Sequence, residues 1–176
     1  ILHRAIIRRY TLCFIPDLPG SNNLTGRLAH DLRLPDNARF IGILSRFMSP
    51  DPVIARKDSD LRHNCVIISG PSPQSGILRK KLTLLFQDRL PETIIFGGKP
   101  ENSSEMTRSG NVIYYDHLSS GPMKEVILQS ENIIARAGYS TIMDLVCLGK
   151  SALLIPTPGQ TEQEYLSAYL SGRRLF

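Results

Sequence analysis

The sequence contains little cysteine and no long apolar segment. Its three cysteines, Cys13, Cys65 and Cys147, are odd in number and far apart, which argues against a disulfide framework and a clustered metal site. Apolar runs such as residues 65–68 and 152–155 are far shorter than the ~20 residues of a membrane-spanning helix. The first residues also lack the pattern of a secretory signal. We therefore predict a cytoplasmic protein that holds no metal and no cofactor.

The basic residues are scattered and lack the aromatic interleaving of a nucleic-acid surface. A formal net charge of +5 and a pI near 9.3 are compatible with nucleic acid, an anionic lipid or a phosphorylated ligand. Because no basic face is evident, we predict no nucleic-acid partner. A solvated surface, or weak attraction to a membrane that carries the acceptor, fits the charge better.

Apolar runs alternate with helical stretches, which is typical of a parallel sheet covered by helices. The continuous apolar character of the runs indicates strands buried on both faces, so the predicted fold is an α/β, Rossmann-like parallel sheet with helices on both sides. Predicted strands are residues 11–15, 38–44, 64–69, 93–96, 111–115, 132–135 and 152–155, and predicted helices are residues 75–89, 123–129, 140–148 and 161–171.

Turn-forming residues between positions 16 and 35 separate the first predicted strand from the rest. The pattern before them has the form of a last helix and strand of an upstream unit. The chain also begins at Ile1 without a methionine and stops at Phe176 within a helical pattern. We predict residues 1–20 as the remnant of an N-terminal domain, 21–37 as a linker, and 38–176 as a second, truncated domain.

The segment 132–165 combines a strand, a glycine turn and a helix start. Gly138 permits close backbone approach, and the helix that begins near Tyr139 and Ser140 offers free N–H groups to a phosphate. Asp144 lies one turn beyond Ser140 and can accept hydrogen bonds from vicinal ribose hydroxyls. In the alternative interpretation, Ser140 caps the helix and Asp144 is an exposed acid near the helix dipole.

A polar loop from residue 157 leads into the last predicted helix. Gln160, Gln163 and Glu164 fall on one face of that helix start, where amides and carboxylates suit sugar hydroxyls, which need both donors and acceptors. A solvated polar face would give the same pattern.

Three further strand ends carry candidate residues. Gly70 lies in a loop with two prolines, which weakens it as a phosphate cradle, and Lys99 could either neutralise a diphosphate or be a surface lysine in a turn. Tyr115, His117 and Leu118 could border a nucleobase. His117 has no partner in the sequence pattern that would make it a catalytic base.

The motif residues in the second half of the chain resemble the C-terminal, donor-binding domain of glycosyltransferases with two Rossmann domains, the GT-B architecture. The resemblance is to family 28, which includes the bacterial N-acetylglucosaminyltransferase of the lipid-linked peptidoglycan precursor. It is specific over residues 111–168, plausible from about residue 38, and is carried by Arg136, Ala137, Gly138, Asp144, Gly149, Pro156, Gln163, Glu164, Tyr165 and Ala168.

The resemblance implies roles for matching positions. Asp144 stands where the family has a ribose-binding glutamate, and Gln163 and Glu164 match a glutamine pair that contacts the donor sugar, with Glu164 departing from the second glutamine. Residues 138–140 match the turn near the diphosphate, residues 115–118 match the strand end near the base, and residues 69–76 match a glycine-rich loop in position only.

From this resemblance we expect the donor half of an inverting, metal-independent glycosyltransferase, with a UDP-sugar as donor and an acceptor that can be lipid-linked. The resemblance implies that residues 1–20 are the remnant of an N-terminal acceptor domain and that residues 38–176 bind the nucleotide sugar. The catalytic base and any peripheral membrane contact at the inner face would belong to the N-terminal domain, so the chain alone would be inactive. Two alternatives remain open: a sugar-nucleotide epimerase of the same architecture, and a non-catalytic donor-binding subunit that needs a partner chain.

Overall fold

The computed structural model describes residues 2–31, 33–48, 63–98 and 106–176. Its strands are β1 (Cys13–Ile15), β2 (Ala38–Phe40), β3 (His63–Ile67), β4 (Thr93–Phe96), β5 (Met106–Ser109), β6 (Val112–Tyr115), β7 (Ser130–Arg136) and β8 (Leu153–Ile155). Its helices are α1 (Leu2–Ile7), α2 (Gln74–Phe86), α3 (Ser120–Gln129), α4 (Tyr139–Cys147) and α5 (Thr161–Gly172). No helix among these residues is long and apolar enough to cross a bilayer.

Six strands form the main sheet in the order β5-β6-β4-β3-β7-β8, and β1 and β2 form a separate two-stranded sheet. Every pairing in the main sheet is parallel except that of the edge strand β5 with β6. This confirms the predicted Rossmann-like α/β class. The strand predicted at residues 38–44 is shorter than expected, and it pairs with β1 rather than with the main sheet.

The core lies on both faces of the sheet. Along β3, Cys65 and Ile67 pack into a cluster with residues of α3, α4 and α5, whereas Val66 packs on the opposite face with Leu82 of α2. Every residue of β3 is buried, as expected for a central strand of a parallel sheet. Burial in this apolar core also raises the pKa of the Cys65 thiol to about 12.

Helix α4 ends as its sequence predicts. Gly149 adopts a positive φ of 63°, and the Lys150 N–H donates to the Leu145 carbonyl at 2.9 Å, the pattern of a helix closed by a left-handed residue. Strand β5 was not predicted, because all four of its residues are exposed and supply no apolar run.

The turn between β5 and β6 leads to a stability prediction. Gly110 has a φ of +55°, and a Cβ atom there would overlap the carbonyl oxygen of Gln87. We expect Gly110→Ala to lower the free energy of unfolding by about 2 kcal/mol, from backbone strain and the clash together. Chemical denaturation measures this loss. Gly121→Ala in α3, where a Cβ meets no atom within 4 Å, is the matched control and should not destabilise. Equal stability of both variants would contradict the prediction.

Candidate functional site

The residues predicted for a ligand site follow the carboxyl ends of parallel strands. Gly70 follows β3, Tyr115 ends β6, Gly138 follows β7 and Gln160 follows β8. Since these strands are parallel members of one sheet, the loops after them lie at one edge, which is where ligands bind in folds of this type. Lys99 lies outside the described residues.

A cavity of about 310 Å³ lies between the starts of α4 and α5, and we call it the helix-start cavity. It brings together three of the predicted residues, Gly138, Gln160 and Gln163, and is also lined by Gly159, Thr161 and Glu162. The loop after β3 adjoins it, because a Cβ on Gly138 would lie 3.5 Å from the Ser69 hydroxyl oxygen. The volume is within the range of small-molecule sites.

Both helix starts present backbone N–H groups without a side-chain cap. Gly138 is the N-cap of α4 and Gln160 the N-cap of α5, and neither helix has a side-chain capping hydrogen bond. The alternative in which Ser140 caps α4 is therefore wrong, because the helix already begins at Tyr139 and Ser140 is an exposed residue of its first turn. The first turn of α4 has no acidic residue, whereas that of α5 has two, so the α4 start is the better anion site.

Gln163 and Glu164 are both tied to the loop before their helix. The Thr157 N–H donates to Oε1 of Gln163 at 2.9 Å, and the Gly159 N–H donates to Oε1 of Glu164 at 2.9 Å. The amide nitrogen of Gln163 has no hydrogen-bond acceptor among the described residues and is a donor for a ligand. Glu164 is exposed and does not line the helix-start cavity.

Asp144 is buried, with 5% of its surface exposed, so its interpretation as an exposed acid is wrong. Its Oδ1 accepts from the Ser45 hydroxyl at 2.7 Å and from the Arg46 N–H at 3.3 Å, and its Oδ2 accepts from Nε of Arg46 at 2.8 Å. A carboxylate has about four acceptor positions, so one position on Oδ2 is open.

Arg136 places a buried positive charge beside the Gly138 turn. Its guanidinium donates to the carbonyls of Pro156 at 2.8 Å and Gln74 at 3.2 Å, and Nε has no partner in the described parts of the chain. Burial lowers the pKa of this arginine, and no carboxylate in those parts lies within ion-pair distance. The uncompensated charge makes the potential near Gly138 more positive.

Tyr139 is turned away from the helix-start cavity toward the segment 16–31. Its hydroxyl donates to the Pro16 carbonyl at 2.6 Å, and burial raises its pKa, with the nearby Asp17 charge adding to the effect. The Asp17 carboxylate is fully buried and accepts from the N–H groups of Leu18, Leu24 and Thr25, as well as from the Thr25 hydroxyl. The Asp17 bonds hold residues 17–25 together. The Tyr139 bond to Pro16 joins this segment to α4, and a hydrogen bond from the Tyr169 hydroxyl to Oδ1 of Asn23 joins it to α5.

The predicted base-binding residues pack mainly against the core. The Tyr115 ring stacks on Phe96 with centroids 6.2 Å apart, and Tyr115 and Leu118 contact the large core cluster. Two strands, β4 and β3, separate their strand from β7, and none of them lines the helix-start cavity. His117 is half-buried in the same loop.

Sequence reasoning missed Asp17, Ser45 and Arg46. The last two could have been found by the rule that singled out the other loops, because a polar pair follows directly on the apolar run 38–44. Asp17 gave no such signal, since three of its partners are backbone N–H groups, which any sequence supplies. Among the residues that the structure describes, no group of three His, Cys, Asp or Glu side chains could hold a metal ion.

The sheet, its helices and the cavity at the carboxyl ends of its strands define a Rossmann-like α/β domain. Residues 75–171, more than half of the chain, match the glycosyltransferase family 28 C-terminal domain. The chain therefore belongs to this family, which confirms the resemblance seen in its motifs.

Two individual proteins are similar to the chain. The UDP-N-acetylglucosamine–N-acetylmuramyl-(pentapeptide) pyrophosphoryl-undecaprenol N-acetylglucosamine transferase of Buchnera aphidicola subsp. Schizaphis graminum is 28% identical over an alignment of 142 residues, gaps included, that covers 75% of this chain and 39% of that enzyme. The crystal structure of the glycosyltransferase SnogD from Streptomyces nogalater is 16% identical, covering 84% of this chain and 38% of that one, with a TM-score of 0.48.

Proposed function

We propose that this chain is the donor-binding part of an inverting glycosyltransferase that uses a UDP-sugar and needs no metal ion. Family membership supports the glycosyltransferase class, and the relative from Buchnera uses UDP-N-acetylglucosamine according to its name. The observation that carries the proposal is the helix-start cavity, in which two uncapped helix starts meet. Because the chain spans 39% of that relative, the activity belongs to the whole protein.

The two helix starts suit different parts of such a donor. The α4 start, without acidic residues and beside the buried Arg136 charge, suits the diphosphate. The α5 start, with Glu162 and the amide nitrogen of Gln163, suits the sugar, whose hydroxyls both donate and accept. The diphosphate would thus be stabilised by backbone dipoles and Arg136 as its charge increases in the transition state.

In the reaction, the acceptor oxygen forms a bond to the anomeric carbon of the sugar. The bond from that carbon to the diphosphate oxygen breaks, its electron pair leaves with UDP, and the acceptor proton passes to a base. We assign the base to a part of the protein outside this chain, so that the chain alone binds the donor without transferring its sugar. We also assign one ribose hydroxyl to the open position on Asp144, which requires Ser45 and Arg46 to shift.

Calorimetric titration tests the proposal. We expect UDP to bind in the presence of EDTA as tightly as in its absence. ADP should bind about tenfold more weakly, because adenine is larger than uracil and its different donors and acceptors leave the partners for uracil unmatched. No UDP binding at millimolar concentration would contradict the donor role. Equal affinities for UDP and ADP would contradict the preference for uridine. Loss of UDP binding in the presence of EDTA would contradict binding without a metal ion.

Gln163→Glu sharpens the same experiment. The variant keeps the oxygen that accepts from Thr157 but loses the amide nitrogen that we assign to the donor sugar. Its added charge weakens UDP and UDP-N-acetylglucosamine alike, so the ratio of the two affinities isolates the sugar contact. We expect the ratio of the UDP-N-acetylglucosamine affinity to the UDP affinity to fall by about tenfold. This is the effect of one hydrogen bond between a ligand and its site. An unchanged ratio would place the sugar elsewhere.

A further inference from the structure

The backbone and the side chain of Tyr139 belong to different contacts of the molecule. Its N–H group is one of those at the start of α4 that precede the first intrahelical bond, which Ile142 donates to the Gly138 carbonyl at 3.0 Å. Its hydroxyl donates to the Pro16 carbonyl at 2.6 Å, and the residue does not line the helix-start cavity. The residue that begins α4 is therefore also a contact between this helix and the segment 16–31.

The start of α4 has to be ordered without a cap. Its N-cap is Gly138, and the helix has no side-chain capping hydrogen bond. A capping side chain would occupy N–H groups that the proposed diphosphate needs, so the order of the first turn must come from elsewhere. Ser140 is exposed, whereas Tyr139 is half-buried and packs against the large core cluster. Tyr139 thus fixes the first turn from outside the cavity and leaves its N–H groups free.

The carbonyl that Tyr139 contacts is held on both sides along the chain. The carbonyls of the flanking residues Ile15 and Asp17 accept from the N–H groups of Ile41 and Gly42, each at 3.0 Å. The carboxylate of Asp17, which is fully buried, accepts three further backbone N–H groups. The Pro16 carbonyl is therefore a fixed support for the start of α4.

We propose that Tyr139 is a positioning residue for the donor diphosphate: its hydroxyl bond to Pro16 holds the first turn of α4 in the orientation in which the N–H groups meet the phosphate oxygens. This inference rests on the proposed function, which assigns the α4 start to the diphosphate. The side chain of Tyr139 acts through the helix and makes no contact with the donor. Without the hydroxyl bond, the first turn must be ordered when the donor binds, and the affinity falls by the free energy of that ordering.

The test compares the affinities of UDP and uridine, because uridine lacks the diphosphate and reports on the rest of the site. Titrations followed by ¹H–¹⁵N spectra measure both affinities in the wild type and in Tyr139→Phe, which keeps the ring and removes the hydroxyl. We expect the ratio of the UDP affinity to the uridine affinity to fall by about fivefold in the variant, the effect of one hydrogen bond of about 1 kcal/mol. A purely structural role would leave this ratio unchanged in the folded variant.

Hydrogen exchange of the Ile142 amide tests the proposed cause directly. This amide donates the first intrahelical bond of α4, so its exchange reports the order of the first turn. We expect exchange to be about fivefold faster in Tyr139→Phe than in the wild type without ligand, and saturating UDP to restore the protection. Equal exchange in both proteins would show that the hydroxyl does not order this turn, which would overturn the inference.

Tyr165→Phe is the matched control. The Tyr165 hydroxyl also binds the segment 16–31, by accepting from the Arg27 N–H at 2.9 Å, but Tyr165 lies on α5 and does not line the helix-start cavity. This variant should bind UDP and uridine in the same ratio as the wild type. An equal fall of the ratio in both variants would show that the whole segment orders the site, and the specific role of Tyr139 would be wrong.

The two proposals fail in different ways. If the wild type prefers UDP to uridine and Tyr139→Phe keeps the same ratio, the positioning role is overturned and the donor proposal stands. If the wild type binds UDP no more tightly than uridine, the α4 start does not hold the diphosphate, and that part of the proposed function is overturned together with the role of Tyr139.

Discussion

Replacing Asp17 with asparagine is expected to loosen the segment 16–31 from the rest of the domain. The Asp17 carboxylate is fully buried and accepts three backbone N–H groups and the Thr25 hydroxyl, so an amide there would turn a donor toward other donors. We expect the segment to lose about 3 kcal/mol of stability. Hydrogen exchange of the Leu24 and Thr25 amides measures it, with an increase of about 100-fold.

The same carboxylate predicts a dependence on pH. Burial alone raises the pKa of Asp17, but the hydrogen bonds from Thr25, Leu24 and Leu18 outweigh burial and hold it below its usual value. A pKa lowered by folding means that the contribution to stability is complete above the pKa of the unfolded chain, about 4, and is lost as the pH falls through the folded value. His30, whose Nε2 lies 3.2 Å from Oδ2 of Asp17, and Tyr139 both face the carboxylate, and both lose its charge in the variant.

We therefore expect protection of the Leu24 amide in the wild type to decrease below about pH 4, and that in Asp17→Asn to depend less on pH in this range. Asp31→Asn is the matched control, since Asp31 is exposed and should change protection little. Equal pH profiles of wild type and Asp17→Asn would show that another carboxyl group controls the segment.

Asp144→Ala is expected to reduce both stability and donor affinity. Removing the buried carboxylate breaks the bonds from the Ser45 hydroxyl and from two nitrogens of Arg46, which should cost about 2 kcal/mol of unfolding free energy. Under the proposed function it also removes one ribose contact, so UDP affinity should fall by about tenfold. Denaturation and calorimetry measure the two effects separately.

Ser45→Ala separates the structural role of Asp144 from its proposed ribose contact. It removes one internal partner but keeps the carboxylate, so we expect a loss of about 1 kcal/mol in stability and no loss of UDP affinity, because the ribose no longer has to displace the Ser45 hydroxyl. If Asp144→Ala loses stability and still binds UDP like the wild type, the residue is structural only and the ribose contact must be sought elsewhere.

Much of the fold could be predicted because its central strands are buried on both faces. Strands β3, β4 and β7 appear in the sequence as continuous apolar runs, and helix α4 as an apolar stripe that ends at a glycine. Strand β5 could not be found in this way, since it is an exposed edge strand that depends on its pairing with β6. The pairing of β2 with β1 depends likewise on how the segment between them folds back.

The candidate site could likewise be predicted from the sequence only in part. Gly138, Gln160 and Gln163 could be identified because each lies near a strand end or helix start that the local pattern reveals, and the structure brings them to one cavity. The surroundings of Asp144 could not be identified from the sequence, because its partners Ser45 and Arg46 lie almost a hundred residues away in the chain. The cavity of about 440 Å³ between residues 25–29 and α5 likewise depends on contacts between parts of the chain that are far apart in sequence.

The α/β class, the family and the helix starts that offer N–H groups to a ligand could be predicted from the amino-acid sequence, because these features depend on local periodicity and on motifs within a few residues. The burial of Asp144 beside Arg46, and the cavity of about 440 Å³ between residues 25–29 and α5, come from the tertiary structure. Those features depend on contacts between residues distant in the chain, whose free energy appears only when the helices pack on the sheet.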